Sequence, residues 1–242
     1  MKITILDTTQ AVAAAVADRI ATALRTKRNA VIGLASGRTP IDAYAQMQRL
    51  HAAGSMDWSR ASTFNLDEFA GIPASHRGSF RRFMEEHLFE GVNLARDRIH
   101  FLNGGAPDLD AECERYEAAI VAAGGIDLQL LGIGSNGHIG FNEPGADLPV
   151  RTHRVRLLES TRRDNAALFG GEWSQVPDAA LSMGIGTILA AGRIVLVATG
   201  EKKAECIRQT VSGRLTTQVP ASMLQVHAVV ELLLDRDAAS RI

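Results

Sequence analysis

Cysteine is scarce in this 242-residue chain: Cys113 and Cys206 are the only two, far apart and without C-x-x-C or cysteine/histidine ligand spacing around them. That argues against a disulfide scaffold or a structural zinc site and leaves two ordinary buried thiols as the expectation. An excess of charge of either sign is missing as well. Lys and Arg number 26 against 27 Asp and Glu, a formal net charge of −1, so no broad attraction to nucleic acid or to a membrane surface is expected. No run approaches the roughly 20 apolar residues that cross a bilayer, and the opening MKITILD lacks the apolar core of a signal peptide. A cytoplasmic protein with no membrane partner is the expectation. Internal repeats, low-complexity tracts and Pro/Ser-rich linkers are absent too, so no domain boundary is legible and residues 1–242 read as a single domain.

What is present is average for a globular protein, 46% apolar and 22% charged, and it is ordered in alternating segments. KITIL, AVIGLA, ASTFNL, RIHFL, DLQLLGI, RIVLVA and VVELLL read as strands, several of them apolar throughout, as strands buried on both faces are. Between them lie stretches with helical spacing, for example Val12, Val16, Ile20 and Leu24, or Ala204, Ile207 and Val211. Alternation of this kind predicts a layered α/β fold with a mostly parallel sheet, whose ligand sites lie beyond the carboxyl ends of the strands. Four loops fall in such places.

In GLASGRTP, 33–40, Gly37 permits a tight turn, Thr39 is a candidate N-cap and Pro40 suits a first helical turn. Its backbone N–H groups and the Ser36 and Thr39 hydroxyls suit a phosphate, although a well-capped turn accounts for the loop equally well and the G-x-x-x-x-G-K-[ST] pattern is absent. In TFNLDEFAG, 63–71, a strand ends in Asp67 and Glu68. Paired acids there usually belong to a solvated turn, but enclosure by Phe64, Leu66 and Phe69 would raise the pKa of Asp67 toward that of a general base.

The third loop, GIGSNGHIGFNEPG at 132–145, contains a G-x-G-x-x-G, yet Gly140, Pro144 and Gly145 oppose the helix a dinucleotide site requires. Its glycines instead let backbone approach a ligand, while His138 and Glu143 supply a proton shuttle and its carboxylate partner. An isolated histidine would more simply hydrogen-bond to backbone; the other six, His51, His76, His87, His100, His153 and His227, lack such surroundings. In the fourth loop, ATGEKKAE at 198–205, Lys202 or Lys203 at a helix start calls for solvation or a compensating anion, to which Arg162 of ESTRRDNAALF could add a planar fork.

Together GLASGRTP, FNLDEFAG, GIGSNGHIGFNEPG, ESTRRDNA, SMGIGTIL, ATGEKKA and PASMLQVH resemble the glucosamine-6-phosphate deaminase family, in the same order along almost the whole chain. NGHIGFNEPG is the most specific element, because the related 6-phosphogluconolactonases do not continue their glycine-histidine turn into F-N-E-P. The resemblance implies a Rossmann-like three-layer α/β/α sandwich and conversion of glucosamine 6-phosphate and water to fructose 6-phosphate and ammonia, with no metal or organic cofactor. It makes Asp67 the C2 base, His138 the ring-opening acid/base and Glu143 its orienting partner; Asn136 occupies a position that is Asp or Asn in the family. It also implies phosphate contacts from Ser36, Gly37, Arg38, Thr39, Arg162 and Lys203.

Arg38 and HRGSF at 76–80 depart from the family pattern of a small residue and H-P-Q-S-Y. Ala146, Asp147, His153 and Val155 stand near places where regulated members carry serine and basic residues, which suggests an unregulated short form, monomer or homo-oligomer. A lactone hydrolase and a sugar-phosphate sensor without turnover are the rival expectations; the first needs no C2 base and the second only the phosphate contacts.

Overall fold

The computed structural model describes residues 1–242. Ten strands form: β1 (Lys2–Leu6), β2 (Val31–Leu34), β3 (Ser62–Asn65), β4 (Asp67–Phe69), β5 (Ile99–His100), β6 (Leu128–Leu131), β7 (His153–Arg156), β8 (Ala179–Ser182), β9 (Ile194–Ala198) and β10 (Val230–Asp235). Seven helices lie between them: α1 (Thr9–Thr26), α2 (Ile41–Ala52), α3 (Phe80–His87), α4 (Leu109–Ala122), α5 (Glu159–Asn165), α6 (Ile185–Leu189) and α7 (Ala204–Thr210).

The seven apolar runs become one parallel sheet in the order β1-β10-β9-β6-β2-β3-β5. Its inner strands β2, β6, β9 and β10 are buried at every position, because helices cover both faces and each side chain meets a packed layer. Helix α1 shows how that cover is specified. The Thr8 hydroxyl accepts the Ala11 N–H at 3.1 Å to start it, and Val12, Val16, Ile20 and Leu24 bury one stripe with alanines between. No helix is long and apolar enough to cross a membrane.

The strand order places the site. From β2 the chain builds outward in one direction through β3 and β5, and in the other through β6, β9 and β10. The loops after β2 and β6 therefore part company and leave a crevice at the carboxyl end of the sheet.

A second sheet, β4-β8-β7, is antiparallel and lies outside the seven predicted runs. The acidic pair does not end β3: the chain leaves the large sheet at Leu66, whose N–H donates to Leu34 O (3.0 Å) while its carbonyl accepts from Met183 N (2.8 Å). Asp67 is the first residue beyond that junction. A small apolar cluster of Phe69, Phe80, Phe141, Leu157, Phe169, Val176 and Ala180 packs the second sheet against the start of α3.

Candidate active site

One cavity of about 770 Å³ opens over the crevice, a size suited to a small polar ligand. Three predicted loops and the acidic strand end supply its wall: Ser36–Thr39 after β2, Asp67 of β4, Gly132–Ser135 and His138 after β6, and Lys202 and Lys203 after β9.

Asp67 is 7% exposed, and its Oδ1 is buried with no hydrogen-bond partner. Burial first, and then the negative charge of Glu68, push its carboxyl up to about 8. No lysine or arginine is paired with it, so a cation arriving in the cavity would be its first counter-charge.

The glycine loop after β6 forms no helix, as its Gly and Pro content predicts, and it turns back on itself through an Ile139–Asn142 bridge. It is fastened to β8 by Phe141 N on Ser182 Oγ (2.9 Å) and by Asn142 Nδ2 on the Ile139 and Met183 carbonyls (both 2.8 Å). Two glycines are needed for fit. A Cβ at Gly134 would lie 2.4–2.6 Å from the His138 ring, so the imidazole rests directly on bare backbone. Gly140 has φ +56°, and a Cβ there would stand 2.8 Å from Ser182 Oγ and 3.8 Å from Asp67 Oδ2, which brings this loop directly over the acid.

His138 Nδ1 meets Glu143 Oε2 at 3.3 Å, which leaves Nε2 for the cavity. The Asn136 amide donates to the same Glu143 oxygen (3.0 Å) while its Oδ1 accepts the His138 N–H (3.1 Å). Burial pushes the Glu143 carboxyl up, but the His138 bond and charge outweigh it, aided by Asn136, and hold it below the usual carboxylate range. Asn136 and Glu143 thus stand behind His138 and reach the cavity only through it.

At the far wall Lys203 is half-buried. Burial lowers its ammonium pKa, opposed by the neighbouring Cys206 sulfur and the Asp164 carboxylate. The turn that carries it is anchored by Asp235, whose two carboxylate oxygens accept Gly200 N–H at 3.0 Å. Thr39 is not the cap of α2: Pro40 takes that position without a side-chain bond, and Thr39 lines the cavity.

Arg162 is placed differently from expectation. Its guanidinium donates to the carbonyls of Val176 (3.0 and 2.7 Å) and Ser174 (3.2 Å) and lies over the Trp173 ring at 5.1 Å, away from the cavity wall. A fork that satisfies two carbonyls and an aromatic face is a structural cross-link, and the arginine that reaches the wall is the exposed Arg38. Sequence reasoning passed over Ser135 and Asp164, which share a 3.2 Å hydrogen bond at the wall; their proximity to the GSNGH turn and to Arg162 was the available signal.

A parallel sheet with a switch-point cavity that gathers a buried carboxyl, a histidine-carboxylate pair and lysines is the arrangement of an α/β enzyme. The chain belongs to the family of glucosamine-6-phosphate isomerases and 6-phosphogluconolactonases, whose sequence profile matches residues 6–233. It is 50% identical over 222 residues to glucosamine-6-phosphate deaminase 1 of Giardia intestinalis, covering 92% of this chain and 84% of that one. To glucosamine-6-phosphate deaminase 2 of Bacillus subtilis (strain 168) it is 50% identical over 220 residues, covering 90% and 88%. A solved monomeric glucosamine-6-phosphate deaminase superposes with a TM-score of 0.97 at 41% identity, each chain covered in full. The Thermotoga maritima 6-phosphogluconolactonase shares the fold alone, with a TM-score of 0.76 at 19% identity over 97% and 99% of the two chains.

Proposed function

We propose that this enzyme converts glucosamine 6-phosphate and water to fructose 6-phosphate and ammonia. The observation that carries the reading is a buried, unpaired carboxylate, Asp67, facing a cavity that also holds a carboxylate-backed histidine and a cationic wall. The relatives that match over most of the chain act, by name, on the same substrate.

The chemistry follows from the charges. The Arg38, Lys202 and Lys203 side of the cavity takes the phosphate, with the Ser36 and Thr39 hydroxyls. That anchorage presents C1 and C2 to Asp67 and His138. His138 moves a proton between the anomeric hydroxyl and the ring oxygen, opening the pyranose, while Glu143 stabilises the charged imidazole. The substrate ammonium supplies the missing counter-charge to Asp67, favouring its ionised form, and acidifies the C2–H that the carboxylate then removes. The electron pair left at C2 forms the C1–C2 double bond, and O1 takes up the proton that the ammonium gives up, so the product of this step is an amino enol. Asp67 returns the proton at C1, the nitrogen remains at C2 as an imine, and water adds there to expel ammonia and leave the ketone. Atoms balance as one aldose amine and one water in, one ketose and one ammonia out.

The test is ammonia and ketose formation from glucosamine 6-phosphate by the purified protein, abolished in Asp67→Asn. Hydrolysis of 6-phosphogluconolactone that persists in Asp67→Asn, without ammonia release by the unmutated protein, would overturn the reading in favour of a lactonase.

A further inference from the structure

Glu68 lies beside the base but faces away from the cavity, since successive side chains of β4 point to opposite sides of the strand. It is 2% exposed and has no lysine or arginine partner. Four donors converge on it instead. Oε1 accepts the N–H groups of Phe69 (2.8 Å) and Phe80 (3.0 Å); Oε2 accepts the Ser79 hydroxyl (2.7 Å) and the Arg81 N–H (2.9 Å). Three of the four belong to the cap and first turn of α3, whose Phe80 and Phe83 form part of the cavity wall.

An ionised carboxylate offers acceptors to all four donors, whereas an amide would turn an N–H₂ toward one of the backbone N–H groups. Burial pushes the Glu68 carboxyl above its usual range, and the four hydrogen bonds pull it back; they and the positive end of α3 are what favour the anion here.

We propose that Glu68 is a positioning residue of the site: its carboxylate clamps the start of α3 to β4 and, held by these donors, sets a negative charge beside Asp67 that the substrate ammonium offsets when it enters. The inference rests on Asp67 being the base. Glu68 couples two requirements of the reaction, a wall held in place and a base that stays protonated while the cavity has no cation. The other groups around the pair do not supply that charge. Tyr44 on α2 and Tyr116 on α4 feel Asp67 but are buried phenols whose pKa values burial raises far above the working range. Arg81 on α3 turns its guanidinium to Glu85, Arg82 turns its own to Glu86, and His138 from the glycine loop is turned to Glu143.

The experiment has two stages. Ammonia release by the unmutated protein tests the parent reading alone. Given that release, kcat/KM is followed against pH for the unmutated protein, Glu68→Gln and Glu68→Asp. Removing the charge in Glu68→Gln moves the acid limb to lower pH by about half a unit or more, the direction expected when a like charge leaves a carboxyl. Glu68→Asp keeps the charge and shortens the reach, so it lowers kcat while its acid limb stays in place. An acid limb unmoved in Glu68→Gln, with only thermal stability lowered, would overturn the proposal, as would an equal displacement in both variants. If Glu68→Gln does not fold, a titration of the unmutated protein carrying ¹³C in its Asp and Glu carboxyls decides. Glu68 must remain ionised while Asp67 takes up its proton, and the reverse order refutes the coupling.

Discussion

Asp67 costs the fold stability through the same burial on which its proposed role depends. An unfolded aspartate loses its proton near pH 4, whereas this one holds it to about 8, chiefly because it is buried. Across that window the folded protein binds the proton that the unfolded chain has released, so stability falls as pH rises. Asp67→Asn has no proton to lose. Its melting temperature is expected to match the unmutated protein near pH 4 and to exceed it above pH 8, although it releases no ammonia. Parallel melting curves across that range would show that the carboxyl is not destabilised by its surroundings. Asn136 carries a second prediction. An aspartate in its place would set a carboxylate about 3.0 Å from Glu143 Oε2, and two such groups cannot both be ionised. Asn136→Asp is expected to add an ionisation to the pH profile of kcat, shared by positions 136 and 143.

At the scale of elements, the loops aim these side chains, and backbone shape decides what can be aimed. Gly134→Ala leaves a permitted main chain but places a methyl about 2.4 Å from the His138 ring, so the imidazole must move. We expect kcat to fall tenfold or more, since a displaced imidazole forfeits part of the roughly 10²–10⁴-fold contribution that the proposed proton shuttle makes, while the far-ultraviolet spectrum is unchanged. Helix α5 and the turn after β9 make opposite predictions. Arg162→Ala removes bonds to the Val176 and Ser174 carbonyls and lowers thermal stability, with KM within about twofold of the unmutated value. Lys203→Ala raises KM about tenfold or more and leaves stability nearly intact, because a charge-assisted phosphate bond is worth about 1.5–3 kcal/mol. A KM effect from Arg162 and none from Lys203 would reverse the assignment of the cationic wall.

The same elements show what the sequence could and could not disclose. All seven strands of the large sheet were legible: burial on both faces forces near-continuous apolar runs in its inner strands, such as IVLVA and VELLLD, while the exposed edge strand β1 was marked only by its β-branched KITIL. The small sheet was not. Strand β7 reads HRVR, with only alternate positions partly buried, and β4 is the three-residue DEF, too short for any period to register. For that reason the acidic pair looked like the end of a strand when it is the bridge between two sheets. The glycine loop was legible as a ligand-side turn, since Gly140, Pro144 and Gly145 forbid the alternatives. Arg162 misled because an arginine on a short helix can serve an anion or a carbonyl equally well, and only the Trp173 ring and the Val176 carbonyl decide which.

At the scale of the whole molecule, the edge of the large sheet depends on one carboxylate. Glu231 of β10 accepts from Lys2 Nζ (2.9 Å) and Thr4 Oγ1 (3.0 Å) of β1, and from Arg19 Nε (2.9 Å) of α1. The Arg19 bond chiefly holds its pKa at about 2. A depressed carboxylate stabilises the fold above its unfolded pKa, and that stability is lost as pH falls from about 4.5 to about 2. Glu231→Gln is expected to melt below the unmutated protein at pH 7, the gap closing as pH falls through that window. A constant gap would assign the effect to packing rather than charge.

Strand β1 has β10 as its sole neighbour in the sheet, although Lys2 and Glu231 are 229 positions apart. On a ribosome adding about 5–20 residues per second, the first strand made must wait roughly 10–50 s for the last. During translation the backbone of KITIL has no strand to pair with, and a message truncated before β10 yields a nascent polypeptide whose β1 stays unpaired, open to chaperones and proteases.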